Sequence, residues 1–179
     1  RRQVPGLKPL EGAHFGVWFT DIPVEFGRFM SRPTCPHCLR PQATCLCHLV
    51  VPTASACELL ILQHPLEVHH AKNSARLLHL SVPGSRIVVG EAFDEAALQA
   101  LLPGPRTTVL LYPPTAYEGH AAPALLEPSQ LQHPETLRLV VLDATWRKSR
   151  KMLYCNPLLQ LLPRLPLQGL HHVRVAVPE

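Results

Sequence analysis

The chain has 179 residues, of which 46% are hydrophobic, and a formal net charge of +4 at pH 7. This length and composition fit one globular domain with an aliphatic core, and no apolar run is long enough to suggest a membrane-spanning segment. The mild positive charge is compatible with a nucleic-acid partner, although an ordinary basic surface explains it equally well.

Residues 1–31 differ in composition from the rest of the chain. They hold four of the five phenylalanines and follow neither the period of a strand nor that of a helix. Met30-Ser31 resembles an ordinary start of translation. We therefore interpret residues 1–31 as an upstream extension; the alternative is a native segment that packs on the domain.

Residues 32–48 are rich in cysteine, histidine and proline and contain two close cysteine pairs. The four cysteines are Cys35, Cys38, Cys45 and Cys47. Two such pairs separated by a short loop can surround one Zn²⁺, and four ligands indicate a structural role for the metal. His37 or His48 could replace one thiolate, and the alternative is four reduced cysteines without metal. Either reading suits a reducing cytosol better than a secreted disulfide framework.

Residues 49–179 alternate between short apolar runs and helical patterns. The predicted strands are 58–63, 86–89, 107–111, 137–142 and 173–177, and the predicted helices are 64–80, 94–102 and 147–154. Strands separated by helices predict an α/β fold with a mainly parallel sheet flanked by helices. The chain stops directly after the last predicted strand, so we expect it to be truncated at its C-terminus.

Three polar side chains follow predicted strands. His64, Tyr112 and Asp143 each come at or directly after the end of one strand. Because ligands of open α/β sheets bind at the carboxyl ends of the strands, these residues predict a shared site.

The segment after the first predicted strand begins with His64-Pro65-Leu66-Glu67. Glu67 has a structural explanation, because a carboxylate is favourable near a helix N-terminus. Asn73 and Ser74 fall inside the predicted helix, where both are mediocre helix formers, so they face either solvent or a ligand.

After the fourth predicted strand, the acid Asp143 and the hydroxyl residue Thr145 precede a predicted helix that is rich in basic residues. Asp143 or Thr145 could simply cap that helix. Helical spacing places Arg147, Arg150 and Lys151 on one face, which predicts contact with a polyanion. A solvated basic face is the alternative.

Together these motifs resemble those of the DTW-domain family of tRNA-uridine aminocarboxypropyltransferases. The resemblance covers about residues 35–177 and rests on the cysteine pairs and on three short motifs. These are His64-Pro65-Leu66-Glu67, Asn73-Ser74-Ala75-Arg76-Leu77 and Asp143-Ala144-Thr145-Trp146. Ser74 stands where the family has threonine. The family is similar in fold to SPOUT methyltransferases, which implies a C-terminal knot that holds S-adenosylmethionine.

The resemblance implies a transfer of the 3-amino-3-carboxypropyl group from S-adenosylmethionine to N3 of a tRNA uridine. It assigns the catalytic positions to Asp143, Thr145 and Trp146, with Asp143 as the base; alternatively, Asp143 holds the cofactor or offsets its sulfonium charge. Trp146 either stacks on a base or lies in the core, and we favour the core. The implied cofactor contacts are His64, Glu67, Asn73, Ser74, Tyr112 and Leu142.

The resemblance further implies that tRNA binds to the knuckle and the basic helix, in the cytoplasm, with no obligate protein partner and no membrane. Residues 49–179 would then be the catalytic domain. Two other functions remain open. The chain could be a non-catalytic zinc-knuckle RNA-binding module, or a related enzyme that modifies rRNA.

Overall fold

A four-stranded parallel sheet organises the part of the chain that the structure, a computed structural model, describes: residues 33–70, 72–114 and 123–165. The elements in chain order are β1 (Glu58–Gln63), α1 (Ala75–Ser81), β2 (Arg86–Val89), α2 (Glu95–Leu101), β3 (Thr107–Leu110), β4 (Leu137–Asp143), α3 (Trp146–Cys155) and α4 (Pro157–Leu161). Within these residues, no helix is both long and apolar enough to cross a membrane.

The strands lie in the order β2-β1-β4-β3, and every neighbouring pair is parallel. The predicted α/β class with a mainly parallel sheet is therefore confirmed. The central pair is in register from Glu58 opposite Arg138 to Gln63 opposite Asp143. The strand predicted at 173–177 and the extension at 1–31 lie outside the described residues. So does the segment in which the resemblance expects a knot, and these three expectations stay predictions.

Both faces of the sheet are covered, and β1 shows why. Leu60 and Leu62 face a core formed with α2, α3 and α4, whereas Leu59 and Ile61 face a second core with Ala75 of α1. Side chains of a strand alternate between faces, so a strand buried on both sides is apolar at nearly every position. This explains why the run Leu59 to Leu62 has no polar residue.

The helix predicted at 64–80 is wrong over its first half. The chain instead forms a 3₁₀ turn at Pro65–Glu67, and α1 begins only at Ala75. Asn73 explains the break. Its buried amide donates to the carbonyls of Glu67 and Val68 at 3.0 and 3.2 Å, and its Oδ1 accepts from the N–H of Arg76 at 3.0 Å. The side chain thus ends one turn and starts the next helix.

The amino edge of the sheet holds a buried ion cluster around Glu58. Its carboxylate lies 2.7 Å from Arg86, 3.3 Å from Arg106 and 3.0 Å from Arg138, whose side chain is only 3% exposed. The hydrogen bond from Arg138 is the largest cause that lowers the pKa of Glu58. This cluster joins three strands and the turn before β3.

Candidate functional site

The carboxyl edge of the sheet brings together residues that are far apart in the chain. Gln63 and Asp143, which end β1 and β4, are paired, and the N–H of His64 donates to the carbonyl of Asp143 at 2.9 Å. Tyr112 follows β3 at the same edge. Because the strands are parallel, His64, Tyr112 and Asp143 lie at the same edge of the sheet.

Asp143 is held by its neighbour on β1. Its Oδ2 accepts a hydrogen bond from the amide of Gln63 at 2.7 Å, and its Oδ1 has no partner among the described residues. The first residue before α3 is Thr145, and its side chain makes no capping hydrogen bond. The reading in which Asp143 or Thr145 serves only as a side-chain cap is therefore wrong.

His64 is fixed in one tautomer. Its Nδ1 accepts from the N–H of Leu66 at 3.1 Å, so the ring proton is on Nε2, which donates to Glu91 at 3.0 Å. The other oxygen of Glu91 lies 2.9 Å from the ammonium of Lys151. Hydrogen bonds from Lys151 and then from His64 lower the pKa of Glu91. His64 therefore has no free lone pair with which to accept a proton.

A second ion pair, between Glu67 and Lys148, accompanies the pair of Glu91 and Lys151. Lys148 lies 2.8 Å from Glu67, and the hydrogen bond from Lys148 is the largest cause that lowers the pKa of this carboxyl. Two lysines of α3 are thus tied to acids from the loops that follow β1 and β2. The predicted RNA contact Lys151 is one of these tied residues.

These pairs border an open cavity of about 690 Å³ at the carboxyl edge. Its lining residues are His64, Pro65, Leu66, Glu91, Thr145, Arg147, Lys148 and Lys151. The cavity wall is partly apolar and carries both signs of charge. It can hold a small zwitterionic molecule, since cations and carboxylates both reach its wall.

Four predicted cofactor contacts lie elsewhere at this edge or just beneath it. Buried Asn73 braces the backbone, exposed Ser74 precedes α1, Tyr112 is buried, and Leu142 packs against the core. None of the four lines the cavity, and neither does Glu67, although its partner Lys148 does. Their proposed contact with a cofactor stays a prediction.

Trp146 lies on the surface, and the expectation that it belongs to the core is wrong. The residue is 55% exposed, while Tyr112 beneath it is 6% exposed. The two rings stack with centroids 5.2 Å apart and planes 6° apart. Trp146 is the first residue of α3, and helical spacing places it on the same side as the buried Ser149 and Leu153, one and two turns further along the helix.

The remaining predicted RNA contacts are the arginines of α3. Arg147 and Arg150 are exposed, and neither has an ion pair among the described residues. The basic run therefore contains two kinds of cation: neutralised lysines and free arginines.

The cysteine cluster is formed by Cys35, Cys38, Cys45 and Cys47, whose sulfur atoms all lie within 4.8 Å of one another. The distance is 3.7 Å for Cys35–Cys47 and also for Cys38–Cys45. Both pairs are too far apart for disulfides, and all four thiols are free. A tetrahedral zinc–thiolate site with bonds of about 2.3 Å has sulfurs about 3.8 Å apart. The cluster could thus hold a metal ion with the geometry that zinc prefers.

The ionisation of these thiols also suits a metal site. Hydrogen bonds from the backbone N–H groups of Leu46 and Arg40 lower the pKa of the Cys38 thiol to about 6. Burial and then the neighbouring sulfurs raise the pKa of Cys47 to about 12. A divalent cation would remove the repulsion that opposes full ionisation, because a coordinated thiol is a thiolate.

A long-range hydrogen bond joins the cysteine cluster to α1. Nε of Arg76 in α1 donates to the carbonyl of His37 at 2.7 Å. The knuckle therefore contacts the helix that follows the loop of His64 and Glu67, a loop that Asn73 holds in place.

Sequence reasoning missed Glu91, Gln63 and Lys148. Glu91 lies just after β2, so the strand-end rule that selected His64 could also have selected it. Gln63 is the one polar residue that ends an otherwise apolar run. Nothing in the sequence signals that Lys148 pairs with Glu67, which is 81 residues away.

Comparisons with known proteins agree with the motifs. The DTW domain matches residues 32–175. The tRNA-uridine aminocarboxypropyltransferase A of Arabidopsis thaliana is 33% identical over 141 residues, covering 68% of this chain and 50% of its own length. The tRNA-uridine aminocarboxypropyltransferase 2 of Mus musculus is 30% identical over 159 residues, covering 86% and 50%.

The enzyme with the same name from Drosophila melanogaster is 31% identical over 159 residues, which cover 84% of this chain and 60% of its own length. The chain therefore spans about half the length of the curated relatives it matches. No solved structure matches it significantly.

Proposed function

Since the chain belongs to the DTW-domain family, we propose that it acts as a tRNA-uridine aminocarboxypropyltransferase. The donor is S-adenosylmethionine, and the acceptor atom is N3 of a uridine. The match to the DTW domain carries the proposal, together with the relatives named for this reaction that are 33% and 30% identical to this chain. The geometry of the carboxyl edge supports the roles of individual residues.

The proposed reaction is a displacement at carbon. The lone pair of uridine N3 forms a bond to the γ-carbon of the methionine moiety as the bond from that carbon to the sulfonium breaks. The electron pair of the broken bond neutralises the sulfur, and methylthioadenosine leaves without protonation. The N3 proton must be lost, so the site needs a base and no acid.

Asp143 is the best candidate for that base. Its Oδ1 has no partner among the described residues, while Gln63 holds Oδ2 in place. The competing groups are less suitable: His64 uses both ring nitrogens, and Glu67 is paired with Lys148. A carboxylate is a weak base, so much of the rate must come from positioning the reactants.

The cavity suits the amino acid end of the donor. The carboxylate of the transferred group would meet the cations Lys148 and Lys151 on its wall, and the ammonium would meet Glu91. Thr145 on the same wall lies two residues beyond Asp143, so a donor held here has its reactive carbon close to the proposed base. Charge-assisted contacts of this kind orient a ligand as well as bind it.

We further propose that the cysteine cluster holds one structural Zn²⁺ and that the arginines of α3 bind tRNA phosphates. Four thiolates leave no open position, so the metal stabilises the knuckle and takes no part in the transfer. The free thiols point to a reducing compartment, and we propose the cytoplasm.

The decisive experiment follows the fate of two labels. tRNA is incubated with the protein and with S-adenosylmethionine that is labelled either in the carboxyl carbon or in the methyl group, and nucleosides are then separated by mass spectrometry. We expect the carboxyl label in a modified uridine and the methyl label in methylthioadenosine. Methyl label in RNA would refute the reaction.

The same assay separates the alternatives. tRNA binding without transfer of either label would identify a non-catalytic RNA-binding module. Transfer to rRNA in preference to tRNA would identify the related rRNA enzyme. Either result would replace the proposed function.

A further inference from the structure

Trp146, three residues after Asp143, stacks on Tyr112, and further contacts hold this aromatic pair in a fixed arrangement. Tyr112 is fixed from below, since its hydroxyl lies 3.3 Å from Oγ of Ser149 and the guanidinium of Arg164 lies 5.9 Å from its ring centroid. Trp146 stacks on that anchored ring with nearly parallel planes. The indole is therefore held in one orientation although more than half of the residue is exposed.

The two rings are parallel and their centroids are 5.2 Å apart, so Tyr112 overlaps one face of the indole only in part, and 55% of Trp146 is exposed to water. A flat, preoriented aromatic face in contact with water is suited to a planar ligand, because a stacked ring makes van der Waals contacts with the face that water molecules do not make. A ring fixed before binding also loses little conformational entropy when the ligand arrives.

The charges around this face indicate what kind of ligand it takes. Arg150 lies one helical turn after Trp146 on the same side of α3, and Arg147 is next to it. Both guanidiniums are exposed and have no ion pair within the described ranges. An aromatic face flanked by free arginines matches a nucleobase with its neighbouring phosphates, as single-stranded nucleic acids present them.

We infer that the outer face of Trp146 stacks a base of the RNA acceptor and so presents that base to Asp143. This inference rests on the proposed function for its choice of RNA. Trp146 follows Asp143 by three residues, so their Cα atoms are at most about 11 Å apart. The lysine and glutamate pairs on the other side of α3 suit the donor's zwitterionic end. The arginine side is therefore left for the acceptor.

The fluorescence of Trp146 reports on this contact without any catalytic turnover. The chain has two tryptophans, so Trp18→Phe leaves Trp146 as the single indole. In that background we expect tRNA and a short uridine-containing oligonucleotide to quench the emission. Methylthioadenosine should leave it unchanged. Quenching by methylthioadenosine with no response to RNA would overturn the inference in favour of an adenine site.

Substitutions test the energetic weight of the stack. Trp146→Leu should weaken RNA binding by about 5- to 100-fold, and Trp146→Phe should recover part of that loss. The matched control is Tyr154→Leu, which removes an aromatic side chain from the same helix that is 78% exposed and has no stacking partner among the described residues. It should leave RNA affinity unchanged.

An unchanged dissociation constant for a folded Trp146→Leu variant would overturn the inference, as would an equal loss with Tyr154→Leu. Folding is checked by thermal denaturation of each variant. Failure of the proposed function is distinguishable, because a protein that transfers no group can still show quenching by RNA. In that case the stacking inference stands and the catalytic proposal falls.

Discussion

Replacing Asp143 by Asn tests the proposed chemistry with little disturbance of the fold. The variant keeps the size of the side chain, and the amide oxygen can still accept the hydrogen bond from Gln63 that measures 2.7 Å in the structure. A hydrogen bond to a charged acceptor is worth about 1.5–3 kcal/mol and a neutral one about 0.5–1.5 kcal/mol, so the variant should lose about 1 kcal/mol of folding free energy.

The effect on transfer should be much larger. Loss of a general base typically costs 10²-fold or more, which corresponds to a barrier increase of about 2.7 kcal/mol. Single-turnover transfer from labelled S-adenosylmethionine measures the rate, and urea denaturation measures stability. Glu135→Gln is the control, since it neutralises an exposed carboxylate on the turn before β4.

Measured ligand affinities distinguish two roles of Asp143: the general base, and a carboxylate whose charge offsets that of the sulfonium. If Asp143 only offsets the sulfonium charge, Asp143→Asn should weaken the binding of S-adenosylmethionine but not that of the neutral methylthioadenosine. If Asp143 is the base, both affinities should stay close to those of the unmodified protein while the rate falls. Near-normal transfer by a well-folded variant would refute both roles.

Three further predictions concern the metal, the RNA contacts and the ion cluster. Elemental analysis of reduced protein should find about one zinc per chain, and chelation should destabilise the knuckle; carefully prepared protein without metal would contradict this. Arg147→Ala with Arg150→Ala should reduce the salt slope of tRNA binding by about two units, and adding Lys151→Ala should change it little, because Glu91 already neutralises that lysine. An unchanged slope would make α3 an ordinary solvated face. Glu58→Gln should cost about 3–5 kcal/mol by leaving a buried guanidinium unpaired. Because the pKa of Glu58 is lowered in the fold, its contribution is present at neutral pH and is lost as pH falls through the folded-state pKa, which denaturation at several pH values can check.

The sheet was predictable because its strands are buried on both faces. Such strands appear as continuous apolar runs, and the run 58–63 coincides with β1 as observed. The strand-end rule likewise brought Asp143 and His64 to one edge, since parallel register fixes that outcome. α2 was recognisable from the Asp94 cap, whose side chain accepts from the N–H of Ala97 at 2.7 Å.

What the sequence did not reveal depends on long-range side-chain contacts. The amide of Asn73 interrupts the helix expected at 64–80 by bonding carbonyls five and six residues earlier, which helical periodicity does not register. Trp146 was favoured for the core because large aromatic residues are usually buried. It is instead exposed and stacks on Tyr112, a contact between two segments that only the folded sheet brings together.

The split of the basic helix into tied lysines and free arginines follows from their chemistry. Partly exposed ion pairs such as Lys148–Glu67 add at most about 1 kcal/mol to stability, so their main consequence is where they hold the charges. A paired ammonium and carboxylate offer a zwitterionic ligand one contact of each sign. Guanidiniums without partners keep their full charge and their planar fork for phosphate.

The two sets also point in different directions around α3. The lysines lie towards the loops after β1 and β2, whereas Trp146 lies against Tyr112, which follows β3. Asp143 ends β4, the strand between β1 and β3, and lies three residues before the first residue of the helix. In the proposed reaction, Lys148 and Lys151 hold the donor and Trp146 stacks on the nucleobase of the acceptor. Both reactants would then lie close to the carboxylate of Asp143. A displacement at carbon requires uridine N3 and the leaving sulfur to lie on opposite sides of the γ-carbon, with the carboxylate beside N3 to accept its proton, and a donor site and an acceptor site that both border Asp143 are compatible with that arrangement.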